Sequence, residues 1–155
     1  METKQYHMNH HLEKNSKNYS LETLPLLVNQ LVGYLEDYKV FEFNGEMGTG
    51  KTTLILDIIK LLGLNELEGS PTYSLINEYR LNNNLKIYHI DAYRINSETE
   101  GYELGLDELF QENAYFFVEW AEKITNFLPE RRVILTISPN SALTRTYSIT
   151  HEYGS

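Results

Sequence analysis

The sequence predicts a single α/β domain in which a mixed sheet, mostly parallel at its centre, is flanked by helices. Its length of 155 residues fits one domain with a full hydrophobic core. Short apolar runs of strand length alternate with segments in which apolar residues recur at helical spacing. A glycine-rich turn joins one apolar run directly to a helical segment, which is typical of the strand–loop–helix units of α/β proteins.

The domain is expected to occupy residues 19–155. Residues 1–18 are polar, so we expect them to form a flexible N-terminal segment. A first helix is predicted after Ser20, an N-cap candidate, because the apolar residues that follow keep helical spacing. Residues 38–43 form an apolar run typical of a strand, and residues 54–62 are predicted to form a helix buried on most sides.

The second half of the chain predicts a hairpin, a helix and three further strands. Two strand-like runs, residues 75–81 and 85–90, are separated by asparagines that suit a tight connection, so we predict an antiparallel hairpin. Ser97 and Glu100 have the spacing of a capping box and open a helix expected to reach about Phe110. The remaining predicted elements are strands at 114–118, 133–137 and 146–150 and a helical piece ending near 128.

The glycine-rich turn begins at Gly45 and matches the pattern G-x-x-x-x-G-K-S/T, with Gly50, Lys51 and Thr52 at its fixed positions. Glycines let consecutive backbone N–H groups face an anion, and the next helix adds N–H groups that have no intrahelical partner. In such a loop the lysine reaches the β- and γ-phosphates of a nucleotide, and the hydroxyl ligates Mg²⁺. The pattern therefore predicts a P-loop NTPase rather than a turn without a ligand. The residues expected to contact the nucleotide here are Glu46, Met47, Gly48, Thr49, Gly50, Lys51, Thr52 and Thr53.

Two apolar runs end in a carboxylate, Asp91 and Glu119. Nucleotide hydrolysis needs a carboxylate at a strand end to hold Mg²⁺ or its waters, and a group that positions the attacking water. Glu119 is the better metal candidate, because its run is more uniformly apolar and so favours a central strand. We therefore predict Thr52 and Glu119 as metal ligands, with Asp91 orienting water or lying beyond the direct ligands.

Composition limits the possible partners and compartments. A net charge of −9 argues against this chain making the main contacts to a nucleic acid. The absence of cysteine excludes disulfides and thiolate chemistry. No apolar run approaches the roughly 20 residues of a membrane span, and the N-terminus lacks an apolar signal region. We expect a cytoplasmic protein. The guanine-reading pattern N/T-K-x-D is absent, so ATP is the expected nucleotide.

The motifs taken together resemble the TsaE family, formerly YjeE. The glycine-rich turn alone is unspecific, but it is followed in order by S-P-T-Y at 70–73, H-I-D-A-Y-R at 89–94, G-L at 105–106 and E-W at 119–120. The resemblance covers about residues 21–149. It departs mildly from the family at Thr49, where alanine is common, and at Tyr73, where phenylalanine is common.

The resemblance implies the ATPase subunit of bacterial tRNA threonylcarbamoyladenosine synthesis. Such a subunit uses ATP and Mg²⁺, associates with the TsaB and TsaD proteins, and meets tRNA only through that complex. By motif, Lys51, Asp91, Glu119 and Trp120 are then catalytic, although Trp120 on its residue type alone could equally be core. The resemblance also implies nucleotide contacts at Thr23 and Arg145 and a switch loop containing Ser70, Thr72 and Tyr73.

Two other functions compete with a partner-dependent ATPase. A small-metabolite kinase can use the same core, but kinases of that type usually carry an arginine-rich lid, and only five arginines occur here. A nucleotide-gated binding module with negligible hydrolysis would share the same motifs. None of the arginines is an evident finger supplied by the chain itself, which favours weak activity alone and help from a partner.

Overall fold

The computed structural model of the chain describes residues 13–20, 22–63, 75–81, 84–139 and 144–151. Seven strands form one mixed sheet in the order β1-β7-β6-β2-β5-β4-β3. The strands are β1 (Glu13–Ser20), β2 (Val40–Asn44), β3 (Ile76–Arg80), β4 (Lys86–Asp91), β5 (Tyr115–Glu119), β6 (Val133–Pro139) and β7 (Thr144–His151).

The centre of the sheet is parallel and its margins are antiparallel, as the sequence predicts. Strand β2 pairs in parallel with β5 on one side and β6 on the other, and β4 extends the parallel set beside β5. The pairs β3–β4, β6–β7 and β1–β7 are antiparallel. Because carboxyl ends of parallel strands meet at one edge, the segments that follow β2, β4 and β5 converge there.

Helices cover both faces of the sheet. The helices are α1 (Leu24–Gly33), α2 (Lys51–Leu61), α3 (Glu98–Glu103) and α4 (Leu106–Leu109), with 3-10 turns at Tyr34–Glu36, Ala121–Lys123 and Thr125–Phe127. One apolar cluster joins α1 and α2 to their face of the sheet, and a second joins α4 and the turn at Ala121–Lys123 to the other face. No helix in the described part of the chain is both long and apolar enough to cross a bilayer.

Alternation along the strands builds both cores at once. Phe117 in β5 packs with the α1–α2 cluster, whereas its neighbours Phe116 and Val118 belong to the cluster on the other face. The Phe117 ring meets Phe41 and Phe43 of β2 edge to face, with centroids 5.4 and 5.9 Å apart. A strand that is apolar on both faces is therefore central, as its sequence predicts.

Strand β1 corrects the expected boundary of the N-terminal segment. The polar sequence predicts a flexible segment through residue 18, whereas residues 13–18 form part of an edge strand that pairs antiparallel with β7. The pairing runs without interruption from Glu13 opposite His151 to Ser20 opposite Thr144. Backbone hydrogen bonding to β7 makes this strand, and such bonding needs no apolar pattern. Residues 1–12 lie outside the described part of the chain.

The predicted helices shift at their ends. Helix α1 begins at Leu24 rather than directly after Ser20, with Thr23 as the N-cap residue. The helix expected to run to Phe110 is divided into α3 and α4, because Gly105 takes a left-handed conformation with φ of 75°. The capping box forms in part: Glu100 N–H donates to Ser97 Oγ at 3.2 Å, while the Glu100 carboxylate accepts from Asn96 instead of Ser97.

The Phe117 ring is expected to carry a large share of core stability. Phe117→Ala should lower the free energy of unfolding by about 3–5 kcal/mol, because it removes a fully buried ring and leaves a cavity. Urea denaturation measures the change. The matched control is Leu26→Ala on the solvent side of α1, where the side chain is 64% exposed, and its effect should stay within about 0.5 kcal/mol. Equal losses in both variants would contradict this account of the core.

Candidate functional site at the carboxyl edge of the sheet

A glycine-rich loop, residues 45–50, connects the end of β2 to the start of α2. Gly48 and Gly50 have left-handed φ angles of 80° and 93°, a conformation that costs other residues about 1–2 kcal/mol. Gly45 is required for a different reason: a Cβ there would lie 2.7 Å from Thr49 Oγ1 and 3.1 Å from the Ile137 carbonyl oxygen. The loop therefore closes tightly against β6 before it enters the helix.

Thr49 stabilises the loop through two hydrogen bonds to the same carbonyl group. Its side chain is buried and its hydroxyl donates to the Glu46 carbonyl at 2.7 Å, while its backbone N–H reaches the same carbonyl at 3.2 Å. Alanine, the residue common at this position in the resembled family, could make only the backbone bond. The departure at Thr49 thus adds one hydrogen bond inside the loop.

Lys51 crosses the loop from the first turn of α2. The residue is buried, and its ammonium group donates to the Gly45 carbonyl. The same ammonium lies 3.9 Å from the centroid of the Trp120 ring. A desolvated ammonium over an indole face gains about 2 kcal/mol or more. The lysine that the motif assigns to phosphate is therefore already turned into the loop and held by a carbonyl and an aromatic face.

Trp120 holds its ring over Lys51 through an unusual backbone conformation. It follows β5 directly and has φ of 57° and ψ of 44°, in the left-handed region. For a large residue this conformation costs about 1–3 kcal/mol, and such residues cluster at ligand-binding and active sites. The indole also packs on Tyr93, with ring centroids 5.0 Å apart. Trp120 thus belongs to the loop region as well as to the edge of the second core.

The two predicted metal ligands are brought together. Thr52 Oγ1 donates to the Glu119 carboxylate, at 2.9 Å from Oε1 and 3.2 Å from Oε2. Glu119 Oε2 also lies 2.6 Å from His89 Nε2. In the Nε2-protonated tautomer of His89, this nitrogen donates to the carboxylate. Glu119 is only 4% exposed and His89 5% exposed, so this carboxylate is held in a buried, hydrogen-bonded setting.

Asp91 lies beside Glu119 on the neighbouring strand. The two residues are in register between β4 and β5, so both side chains occupy the face that carries α2. Unlike Glu119, Asp91 is exposed, and its Oδ1 accepts only a local bond among the described residues, from Tyr93 N–H at 3.1 Å. The site therefore has one buried, anchored carboxylate and one carboxylate open to solvent.

The remaining predicted contacts lie along the same edge of the sheet. Because β7 and β1 run antiparallel, the start of β7 and the end of β1 reach the edge that carries the loop, and Arg145 pairs there with Tyr19. Thr23 follows, and its Oγ1 accepts from Ser20 N–H at 2.9 Å. Glu46, Met47 and Thr53 are exposed around the loop and first helical turn. Ser70, Thr72 and Tyr73 lie outside the described residues, so their switch role stays a prediction.

Sequence reasoning missed His89 and a polar cleft next to Lys51. Alternation along β4 places His89 and Asp91 on one face, but only the register with β5 shows that His89 meets Glu119. The cleft has a volume of about 350 Å³. The sequence feature that indicates this cleft is Glu42, a glutamate inside an otherwise apolar strand. Its lining residues are Glu42, Phe43, Asn44, Gly45, Lys51, Trp120, Glu122, Thr125 and Arg132.

The donor set around Thr52 fits Mg²⁺ better than a metal held by protein alone. Among the described ranges, no group of three or more histidine, aspartate or glutamate side chains could hold a metal ion. Thr52 and Glu119 supply a hydroxyl and a carboxylate, both hard oxygen donors. Mg²⁺ commonly takes one or two protein oxygens and completes its shell with waters and substrate phosphates. The residues present therefore suit a Mg²⁺ ion that arrives with a phosphorylated ligand.

The fold and site define an α/β protein in which a glycine-rich loop opens a helix beside an anchored carboxylate. The chain belongs to the TsaE family, described as threonylcarbamoyl adenosine biosynthesis protein TsaE, whose sequence pattern matches residues 19–153. The match spans every described element from α1 to β7.

Similar proteins agree with this assignment. The tRNA threonylcarbamoyladenosine biosynthesis protein TsaE of Bacillus subtilis (strain 168) is 39% identical over 98 residues, 63% of this chain and 60% of its own length. The protein of that name from Rickettsia bellii is 36% identical over 120 residues, covering 77% and 82%. The match to the Bacillus subtilis protein therefore covers less than two thirds of that protein's own length. The crystal structure of Bacillus YdiB superposes with a TM-score of 0.72 at 26% identity, covering 92% of this chain and 88% of that one.

Gly45 should tolerate no side chain. Gly45→Ala is expected to lower the free energy of unfolding by about 1–3 kcal/mol, since the added methyl group presses on a backbone carbonyl that cannot turn away. Gly33→Ala, at the end of α1 with open space around it, should be neutral or stabilising by up to about 1 kcal/mol. Thermal denaturation compares the two. A Gly45→Ala protein as stable as Gly33→Ala would show that the loop does not pack against β6 in this way.

Proposed function

We propose that this chain binds ATP with Mg²⁺ and hydrolyses it, as a subunit that supports the TsaB–TsaD complex in threonylcarbamoyladenosine modification of tRNA. The observation that carries the proposal is the bond from Thr52 to the buried Glu119 at the start of α2, directly beside Lys51 and the glycine-rich loop. A hydroxyl, an ammonium and an anchored carboxylate at one helix N-terminus are the groups expected to bind a nucleoside triphosphate and its metal ion.

Phosphate binding falls to the loop and to Lys51. Backbone N–H groups of a glycine-rich loop and of the first turn of the helix that follows it attract an anion. In this structure the Lys51 ammonium is held by the neutral Gly45 carbonyl and the Trp120 ring. Phosphate oxygens carry formal negative charge and are stronger partners than either. Lys51 is therefore placed to exchange its carbonyl bond for a phosphate bond over a short distance, while Trp120 shields it from water.

Thr52 and Glu119 would hold Mg²⁺. The Thr52 hydrogen is directed to the Glu119 carboxylate, which leaves the hydroxyl lone pairs available to a metal. When bound, Mg²⁺ neutralises charge that develops on the β- and γ-phosphate oxygens. Glu119 then fixes the orientation of the Thr52 hydroxyl and offers its own oxygens to the metal or to its waters. Its burial keeps it anchored where an exposed carboxylate would sample several rotamers.

Asp91 is the residue suited to the attacking water. Its carboxylate is exposed next to Glu119, and its Oδ1 atom accepts a hydrogen bond from the Tyr93 N–H. From there Asp91 can accept a hydrogen bond from a water molecule that attacks the γ-phosphorus. The water oxygen bonds to phosphorus, the bond to the ADP oxygen breaks, and the proton of the water passes to Asp91 or to phosphate.

The relatives' names and this chain's composition support the place in tRNA modification. Proteins from Bacillus subtilis and Rickettsia bellii carry the name tRNA threonylcarbamoyladenosine biosynthesis protein TsaE. A net charge of −9 suits a subunit whose partners hold the tRNA. Among the described arginines, Arg132 lines the cleft beside Lys51, where it lies 3.9 Å from Glu42, and none is paired with Glu119. A charge-stabilising group supplied by a partner would complete the site, as arginine fingers do in other NTPases.

The central test is phosphate release from ATP and Mg²⁺ by the purified chain, with and without TsaB and TsaD. We expect slow release alone and an increase of about tenfold or more with both partners, since a partner-supplied charge can contribute far more than that. Lys51→Ala should weaken ATP binding by about ten- to a hundredfold, because a charge-assisted hydrogen bond contributes about 1.5–3 kcal/mol. Calorimetric titration measures the affinity.

Lys60→Ala is the matched control for Lys51→Ala. It removes an exposed lysine from the last turn of the same helix and should leave ATP affinity unchanged. If a folded Lys51→Ala protein binds ATP as tightly as wild type, residues 45–50 are not a nucleotide-binding loop. ATP-dependent association with TsaB and TsaD without phosphate release would instead make the chain a nucleotide-gated binding module.

The two carboxylates should separate in function. Asp91→Asn is expected to keep nucleotide and Mg²⁺ affinity and to lower the hydrolysis rate by about 10²–10⁴-fold, the usual contribution of a general base. Glu119→Gln should instead weaken the Mg²⁺ dependence of nucleotide binding. Asp107→Asn, an exposed change in α4, serves as the control for lost charge. Loss of metal dependence in Asp91→Asn, with Glu119→Gln unaffected, would mean that the two roles are exchanged.

A further inference from the structure

The pair of His89 and Glu119 is a buried polar contact that the proposed roles of Thr52, Asp91 and Lys51 do not use. His89 is in the middle of β4 between the buried residues Tyr88 and Ile90. Its face of the sheet also carries the apolar side chains of Ile87 and Phe117. Its Nε2 atom lies 2.6 Å from Glu119 Oε2, with side-chain exposures of 7% and 5%. The contact is therefore short and buried.

Stability alone is a poor reason for such a contact. Taking an ionisable pair out of water costs several kcal/mol, and apolar side chains of similar volume at such positions are often neutral or stabilising. A phenylalanine at position 89 would continue the aromatic packing of Phe41, Phe43 and Phe117 on the same face. Retaining a donor here is better explained by what it does to the carboxylate.

The histidine completes the anchoring of Glu119. Thr52 binds both carboxylate oxygens from α2, and His89 binds Oε2 from β4. These contacts approach from two different elements, so together they restrict rotation of the carboxylate as well as its position. Without His89, the carboxylate would be held by a single hydroxyl, which can rotate with it.

Resting on the proposed Mg²⁺ role of Glu119, we infer that His89 is a positioning residue that fixes the Glu119 carboxylate for metal binding. It touches neither nucleotide nor metal. Groups that orient a metal-binding carboxylate from behind typically change metal affinity by about 10–100-fold when removed. The anchoring depends on the donor atom at Nε2 and its distance from Glu119. A substitution that keeps such a donor should therefore preserve metal affinity, and one that keeps only the shape should not.

The experiment titrates Mg²⁺ by calorimetry into the full chain with a non-hydrolysable ATP analogue. Wild type is compared with His89→Phe, which keeps a ring without a donor, and His89→Gln, whose amide can place a donor near the Nε2 position. His89→Phe should weaken apparent Mg²⁺ affinity by about tenfold or more, and His89→Gln should recover most of it. Analogue affinity measured without Mg²⁺ should be equal in all three.

His89→Asn and Ile87→Val separate positioning from packing. Asparagine is polar but too short to reach Glu119, so it should behave like phenylalanine even if the latter variant folds poorly. Ile87→Val removes a methyl group from the same face of β4 and should cost about 0.5–1.5 kcal/mol of stability without altering Mg²⁺ affinity.

Three results would overturn the inference. Unchanged Mg²⁺ affinity in folded His89→Phe or His89→Asn would remove it while leaving the proposed function intact. Equal loss in Ile87→Val would assign the effect to packing. Nucleotide binding by wild type that does not depend on Mg²⁺ would reject the proposed metal role and the inference with it.

Discussion

The parallel pairing of β2 with β5 is the constraint on which the site depends. It places Phe43 opposite Glu119, so the glycine-rich loop leaves one strand where the carboxylate ends the next. Three buried rings, Phe41, Phe43 and Phe117, hold the two strands together below this point. A shift of one residue would turn Glu119 to the other face, away from Thr52. The apolar packing of the centre thus decides the polar geometry of the edge.

Charge is arranged at this edge by degree of burial. Glu119 is buried and hydrogen-bonded to Thr52 and His89, whereas Asp91 on the next strand is exposed. Lys51 is buried too, but its partners are a carbonyl and an aromatic ring, both weaker than an anion. In the proposed function, Lys51 is therefore the described group beside the loop whose bonding would improve most on phosphate binding.

Features encoded by spacing or by apolar pattern could be predicted from the sequence. The hairpin of β3 and β4, the Ser97 cap and the carboxylate ends of β4 and β5 belong to this kind. Strand β1 could not be predicted, since a polar edge strand owes its structure to bonds with β7. The partner of His89 was equally hidden, because it follows from the register between two strands and not from either strand alone.

Strand β1 has a consequence for how the chain acquires its fold. The first described strand pairs with the last, so Glu13 meets His151 across nearly the whole length of the molecule. Contacts between such distant residues carry a large loop-closure entropy and raise contact order, which slows folding. During synthesis from the N-terminus, β1 has no partner until β7 has left the ribosome. Strand β1 thus precedes the other described elements in the chain but is paired only after β7 has been made, and until then its backbone donors and acceptors are exposed to water.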